Sequence, residues 1–284
     1  VRLTSSREES IVLDGEFSDW EGIEPYLDEG GNRFYFAYDE KYVYLAGRIQ
    51  EYYPVLDRIY VAFDTNPQSG STVSTEHNLH FDRDMDFVLY VSEDQWVRLW
   101  VQEYYDPFKV MERTEPDLAE NAAEQWRVPA KDSGYFQEIR QFVQRKTYLQ
   151  NDPDLSVEEL AQRLQETGSM YEDTGNIVEE SGVFSVQGGD FARTEEGYEL
   201  RIPWQLLNFS DPSNMKITAD FHEPQKGSLK VKEIYLQTFV SRGEPFETSG
   251  SRSVPVKGWE DEPAFGFETK ASFEALGQVW GGAL

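Results

Sequence analysis

Oxygen-bearing side chains are concentrated in two short stretches, FDTN and FDRDMD. These stretches supply the carboxylates of Asp64, Asp82, Asp84 and Asp86 and the amide of Asn66. Hard cations such as Ca²⁺ take roughly six to eight oxygen ligands, which loops rich in Asp and Asn provide. If DRDMD is a strand, its three alternating Asp side chains share one face, where they repel one another unless a cation or water solvates them. We therefore expect a calcium site at these five residues, without EF-hand spacing, and a solvated acidic loop is the alternative.

Sequence motifs of known catalytic sites are not found. The chain has no Gly-x-Ser-x-Gly, no phosphate-binding glycine loop and no His-Glu-x-x-His. Because the chain contains 53 Asp and Glu residues, pairs of carboxylates arise by chance and do not by themselves indicate a glycosidase. The sequence favours a protein that is not an enzyme, with an unrecognised carbohydrate-active enzyme as an alternative.

Composition limits the classes of partner. The 26 basic and 53 acidic residues give a net charge of −27, a field that repels nucleic-acid phosphates and anionic membrane surfaces. We expect neither nucleic acid nor a membrane as partner. The absence of cysteine excludes disulfides and thiolate metal sites. Aromatic residues, at 14%, favour strands and also form carbohydrate and partner sites.

Alternating apolar residues predict short antiparallel strands in two parts of the chain. The predicted strands are 33–39, 42–50, 57–66, two within 86–102, 181–189, 197–207, 215–223 and 230–240. Within each part, consecutive short strands have no helix between them, which favours a β-sandwich over alternating β/α units.

A turn precedes the first of these strands, in VLDGEFSDW. Gly15 tolerates a positive φ, and the Asp14 carboxylate can bond its own backbone, so Asp14-Gly15 predicts a turn. We expect Trp20 to fold back from this turn and to pack on the sheet.

The periodicity changes to helical between the two groups of strands. Phe136, Ile139 and Phe142 are spaced for a helix over 134–150, and a capping box and a terminal glycine predict a second helix over 154–168.

These patterns divide the chain into parts. Residues 1–103 and 181–284 are predicted to form one sandwich domain, and 104–180 a helical insertion that sets the choice of partner or ligand. The last 45 residues are rich in Gly, Ser and Pro, and we expect them to be irregular apart from a short C-terminal helix over 270–280.

Five stretches resemble, in order and spacing, the family 9 carbohydrate-binding modules and their DOMON-like relatives. They are IVLDGEFSDW (11–20), FAYDEKYVYLAGRIQE (36–51), DRIYVAFDTNPQSG (57–70), GYELRIPWQLL (197–207) and WEDEPAFG (259–266). The resemblance implies a jelly-roll-like β-sandwich and noncatalytic sugar binding by an extracellular module. It does not extend to the insertion or to the last helix.

The resemblance also implies a sugar site. The family holds a terminal sugar between two Trp rings, and the one near the C-terminus matches Trp259. The other position is occupied here by Pro54, so Tyr52 or Tyr53 would have to supply the second ring. The alternative is that these rings only pack under a loop.

Two further ligand patterns have to be considered. His77 and His80 lie three residues apart beside Glu76, but a third zinc ligand is not evident, which favours an exposed loop. Some DOMON-like relatives bind haem through Met and His, and Met85 with His222 would be the pair here, but no second feature supports them.

The sequence thus predicts a noncatalytic, calcium-stabilised β-sandwich that binds a polysaccharide or a terminal sugar. We expect a module of a larger bacterial protein that is secreted or displayed at the cell surface, where other domains of the longer chain are further partners. The alternative from another class is a structural or assembly domain that kept the sandwich and lost its sugar site.

Overall fold

The computed structural model describes residues 1–3, 11–53, 56–91, 96–114, 127–139, 169–171, 190–193, 195–242 and 247–259. In chain order the strands are β1 Leu27–Glu29, β2 Asn32–Tyr38, β3 Tyr42–Arg48, β4 Arg58–Asp64, β5 Ser71–Ser74, β6 Leu79–Met85, β7 Phe87–Val91, β8 Trp96–Gln102, β9 Phe136–Glu138, β10 Ser169–Tyr171, β11 Phe191–Arg193, β12 Gly197–Pro203, β13 Phe209–Asp211, β14 Lys216–Thr218, β15 Ser228–Lys230, β16 Glu233–Ser241, β17 Glu247–Thr248 and β18 Arg252–Pro255.

Two large antiparallel sheets carry most of these strands. The first has the order β1-β2-β3-β12-β11, and the second has the order β10-β8-β7-β4-β16-β17, with β9 also paired to β8 and β18 to β16. Two small sheets, β5-β6 and β13-β14-β15, complete the described strands. The predicted antiparallel β-sandwich is confirmed, and its jelly-roll-like strand order stays a prediction.

The core lies between the two large sheets because each central strand turns alternate apolar residues inward. Phe34, Phe36 and Leu45 of the first sheet pack in one cluster with Val61 and Leu89 of the second. Residues of the opposite parity point away from this core, and separate elements cover them on each sheet.

The N-terminal segment covers the outer face of the first sheet. Trp20, only 2% exposed, ends a 3-10 helix over Phe17–Trp20 and packs with Tyr35 and Tyr44. Gly15 has a φ of 85° and the Asp14 carboxylate accepts the amide of Glu16 at 2.9 Å, as the Asp-Gly turn predicted. The predicted packing role of Trp20 is confirmed.

The β5-β6 hairpin covers part of the outer face of the second sheet. Its Leu79, Phe81 and Met85 pack against Tyr60 and Val88 of the sheet. This cover hides an apolar surface that would otherwise face water.

Helices are short in the described part of the chain. The α-helix α1 spans Pro107–Thr114, and 3-10 helices span Phe17–Trp20, Glu103–Tyr105, Trp204–Leu207, Pro212–Asn214 and Pro224–Lys226. None of the described helices is both long and apolar enough to cross a bilayer.

The structure corrects several predicted elements. The helix predicted over 134–150 is wrong at its start, because Phe136–Glu138 is a strand whose backbone completes the ladder of β8. The strand predicted over 215–223 shortens to Lys216–Thr218. The C-terminal region predicted to be irregular contains β17 and β18, which pair with β16.

Other predicted elements fall outside the described residues. They are the rest of the first helix beyond residue 139, the helix over 154–168, the strand over 181–189 and the C-terminal helix over 270–280. Strands β9 and β10, both from the predicted insertion, pair with β8 of the sandwich. The division of the chain into domains stays a prediction.

Candidate functional site

Trp259 packs inside the protein and is only 9% exposed. Its ring centroid lies 6.5 Å from that of Trp204, the guanidinium of Arg2 lies 5.8 Å from its centroid, and its amide donates to the carbonyl of Ser213 at 2.8 Å. The ring that the resemblance assigned to a sugar is therefore a core residue in this structure.

Tyr52 does not face Trp259. It is 8% exposed and follows Ile49, whose amide donates to the carbonyl of Glu196 at 2.7 Å just before the beginning of β12. Trp259 contacts Trp204, just after the end of β12. Six residues of strand span roughly 20 Å. The structure thus places the two rings at opposite ends of β12 and does not bring together the expected pair.

Tyr53 differs from both because it is 53% exposed. The guanidinium of Arg242 lies 4.7 Å from its ring centroid and supports the ring from one side. Tyr53 and Tyr135 are the two strongly exposed aromatic residues in the described part of the chain. An exposed ring that is held in place is the element that stacks on the C–H face of a sugar.

A buried carboxylate holds the Arg242 guanidinium in place. Asp57, only 3% exposed, accepts Arg242 Nε at 2.7 Å on Oδ1 and Arg242 Nη2 at 3.1 Å on Oδ2. Its Oδ2 also accepts the amide of Tyr53 at 2.7 Å, and the Glu51 carbonyl accepts Arg242 Nη2. Such a bidentate ion pair fixes the orientation of the guanidinium and also balances the charge of the carboxylate. Tyr53, Arg242 and Asp57 form what we call the Tyr53 platform.

The Tyr53 platform lies at one end of the second sheet. Asp57 directly precedes β4, and Arg242 directly follows β16, its antiparallel partner, with Arg58 opposite Ser241. The motif resemblance points to Tyr53, but no sequence pattern points to Arg242 or Asp57. Since 185 residues separate these two in the chain, only the pairing of β4 with β16 reveals their contact.

The predicted calcium ligands begin with Asp64, which is 5% exposed. Arg83 Nε donates to its Oδ2 at 2.7 Å, and the same guanidinium lies 3.3 Å from the ring centroid of Tyr235. Burial raises the pKa of Asp64, and the cation of Arg83 opposes that shift. Arg83 therefore supplies at Asp64 the positive charge that the prediction assigned to calcium.

Asp86 is fully buried and lies after the end of β6. The prediction that it shares one strand face with Asp82 and Asp84 is therefore wrong. Its Oδ2 accepts the amides of Thr65 and Asn66 at 2.8 and 2.7 Å, and its Oδ1 accepts the hydroxyl of Ser69 at 2.8 Å. Burial nevertheless raises the pKa of Asp86 to about 7.

The other predicted ligands have separate surroundings. Asp82 and Asp84 share the exposed face of β6, and Asp82 Oδ2 accepts the amide of Ser251 at 2.8 Å. The side-chain amide of Asn66 donates through Nδ2 to the carbonyl of Ala219 at 3.0 Å. The described residues contain no group of three or more His, Asp or Glu side chains arranged to hold a metal ion. Calcium binding stays a prediction.

The histidines also have protein partners. His77 Nδ1 lies 2.9 Å from the hydroxyl of Ser74, and burial lowers the pKa of His77 to about 4, while His80 is exposed on β6. Met85 packs in the cluster under the β5-β6 hairpin, whereas His222 Nε2 lies 3.1 Å from the carbonyl of Tyr104. The two proposed haem residues thus belong to different clusters.

A polar cluster that sequence analysis missed surrounds Asp220. The Asp220 carboxylate accepts the hydroxyl of Tyr104 at 2.9 Å and the ammonium groups of Lys226 and Lys131 at 3.1 and 3.3 Å. Burial would raise the pKa of Asp220, but these donors outweigh it and lower the pKa to about 2. Glu223 also accepts Lys226 Nζ at 2.8 Å, so two carboxylates balance two lysines, and the cluster ties the segment 127–139 to the loop after β14.

No family model and no curated protein sequence matches this chain. The resemblance to family 9 carbohydrate-binding modules therefore stays at the level of the motifs described above.

Proposed function

We propose that this chain is a noncatalytic carbohydrate-binding β-sandwich module and that sugar stacks on the Tyr53 platform. The observation that carries the proposal is the 53% exposed ring of Tyr53, supported from one side by a guanidinium that Asp57 fixes. A ring held in this way loses little conformational freedom when a ligand binds.

The proposal includes the setting expected from the sequence. The chain acts as an extracellular or cell-surface module of a larger bacterial protein, and its ligand is a polysaccharide or a terminal sugar. Support comes from the motif resemblance and from the antiparallel sandwich. Because Trp259 does not face Tyr53, one ring carries the stacking, and we expect a Kd no tighter than roughly 10–100 µM.

A glycan array tests the proposal with three proteins. Tyr53→Ala should lose binding while its melting temperature stays near that of the parent, because the ring is exposed. Tyr135→Ala is the matched control, since Tyr135 is 57% exposed and lies on another segment, and it should bind like the parent. Glycan binding that survives Tyr53→Ala would overturn the assignment of the Tyr53 platform.

A structural or assembly domain is the second candidate function. The burial of Trp259 and its distance from Tyr52 favour it, because both fit a sandwich that lost a two-ring sugar site. Absence of binding to every glycan, together with oligomers in solution, would support this candidate. Release of reducing ends from any polysaccharide would instead show an enzyme.

A further inference from the structure

A cleft of about 320 Å³ lies at the surface, and the residues that line it are distant from Tyr53 in the sequence. Three segments line it: the one at Ser213–Met215, the one joining β15 to β16, and the one that follows β18. This volume is at the lower end of the range of small-molecule sites, roughly 300–1,000 Å³.

The cleft combines an apolar floor with a cationic rim. Met215, Val231 and Val256 line it and are at most 7% exposed. Lys230, Lys232 and Lys257 also line it, and all three are exposed. Lys230 and Lys232 form no ion pair with any residue that the structure describes.

The carboxylates next to the cleft already have other partners. Asp211 accepts the hydroxyl of Ser213 at 2.6 Å and lies 3.6 Å from the ammonium of Lys216. Glu233 accepts the hydroxyls of Tyr235 and Ser253. Neither acid forms an ion pair with Lys230 or Lys232.

The local charge of the cleft is opposite to the net charge of −27. At physiological ionic strength, charges in solvent are screened over about 8 Å, so an anion inside the cleft interacts chiefly with the lysines beside it. The overall field slows the approach of an anion but does not cancel these contacts.

Backbone hydrogen bonds fix the walls of the cleft. The backbone amide of Val231 donates to the carbonyl of Met215 at 2.9 Å. Likewise, the amide of Val256 donates to the carbonyl of Lys232, and that of Trp259 to the carbonyl of Ser213, both at 2.8 Å. A Cβ at Gly258 would lie only 2.2 Å from the carbonyl oxygen of Ser213, so these two backbones are packed as closely as glycine allows. The cleft is formed before any ligand arrives.

We infer that this cleft binds an anionic ligand of monosaccharide size, of the uronate class. The carboxylate of the ligand lies beside the ammonium groups of Lys230 and Lys232, and one C–H face of its ring covers the exposed edges of Val231 and Val256. The inference does not depend on the Tyr53 platform, because the two sites share no residue. Exposed ion pairs contribute little each, and we expect a Kd on the order of millimolar.

Titration of the parent protein with sodium glucuronate, followed by NMR or calorimetry, tests the inference. The neutral methyl ester of glucuronate should bind at least about tenfold more weakly, because it lacks the charge. Inorganic sulfate, which lacks the apolar face, should also bind more weakly. Equal affinity for the acid and its ester, or for glucuronate and sulfate, would overturn the inference.

Variants locate the binding. The double variant Lys230→Met, Lys232→Met should lose about tenfold in affinity for glucuronate and keep its melting temperature. Lys41→Met is the matched control, because Lys41 is an exposed lysine on the turn between β2 and β3. An equal loss in Lys41→Met, or no loss in the double variant, would contradict the assignment.

The acidic stretch 260–262 gives one further control, since it follows Trp259 in the sequence and lies outside the described residues. Replacing its three acids by their amides should leave glucuronate affinity within about twofold. If glucuronate binds only to that variant, the occupant of the cleft is this chain's own segment, and the inference fails.

Discussion

Trp20 and Glu199 are 179 residues apart in the chain, yet the indole Nε1 of Trp20 donates a 2.7 Å hydrogen bond to the Glu199 carboxylate. The other carboxylate oxygen accepts the amide of Gly15 at 3.0 Å. Both side chains are buried on the outer face of the first sheet. One carboxylate thus joins the Asp-Gly turn and the Trp that follows it to β12.

Removing the indole donor should leave a buried oxygen of Glu199 without a partner. Trp20→Phe keeps most of the apolar contact, and we expect the free energy of unfolding to fall by about 1–3 kcal/mol for the lost hydrogen bond. Chemical denaturation measures this change. In a double-mutant cycle with Glu199→Leu, which removes the acceptor, the two changes should not be additive, and additive losses would show that the bond contributes nothing.

Two buried carboxyls should make the stability depend on pH. Burial raises the pKa of Asp86 and of Glu199 to about 7, from ordinary values of 3.8 and 4.5. A raised pKa means that the folded state holds the proton more tightly. The stabilisation is therefore complete below about pH 4 and is lost as the pH rises through about 7.

Denaturation curves at several pH values measure this effect. The free energy of unfolding contributed by these groups should fall between about pH 4 and pH 8, by a few kcal/mol for Asp86 alone. Asp86→Asn should flatten the profile, while Asp84→Asn, at an exposed position on β6, should not. A parent profile that rises over this range would contradict the prediction.

Arg242 should affect both binding and stability. Arg242→Ala leaves the buried Asp57 carboxylate without its cation, so we expect a lower free energy of unfolding together with weaker glycan binding. Arg242→Lys restores the charge but not the two-pronged geometry, and it should recover stability better than glycan affinity. Equal recovery of both would indicate that charge alone supports the Tyr53 platform.

Calcium binding is decided by melting the protein with millimolar calcium and with a chelator. A ligand that binds only the folded state stabilises it by about 2.7 kcal/mol at a hundredfold excess over Kd. Binding at Asp64, Asn66, Asp82, Asp84 and Asp86 therefore predicts a lower melting temperature with the chelator. Identical melts would exclude the site.

Arg83→Met extends the calcium test. It removes the cation next to Asp64, so the variant should be less stable than the parent at neutral pH. Rescue of the variant by calcium would show that the metal can take the place of the guanidinium. Failure of calcium to change either protein would show that Arg83 is the sole cation at Asp64.

Local patterns predicted the sandwich because alternation and turn chemistry are properties of neighbouring residues. The hairpin of β2 and β3, the Asp14-Gly15 turn and the packing of Trp20 all follow from such patterns. The helix predicted at Phe136 was wrong because its helical spacing competes with pairing to the edge of β8, which the sequence does not show.

The candidate site was harder to predict from the sequence, because it also depends on contacts between distant strands. Tyr53 was found as a residue type, but its exposure and its Arg242 support depend on strands that are distant in sequence. Trp259 matched a motif, yet its burial against Trp204 depends on how the last strands dock on β16. A sequence motif that contains an aromatic residue does not show whether the ring of that residue is exposed to solvent.

The pairing of early strands with late ones has a consequence for the order in which the protein can fold. Strand β3 finds its partner β12 about 150 residues later, and β4 finds β16 about 175 residues later. Neither large sheet can be completed before β12 and β16 are available. We expect folding to be slow compared with that of helical proteins, because the decisive contacts are far apart in sequence. A chain that folds slowly exposes its apolar faces for longer, and it needs protection from aggregation during that time.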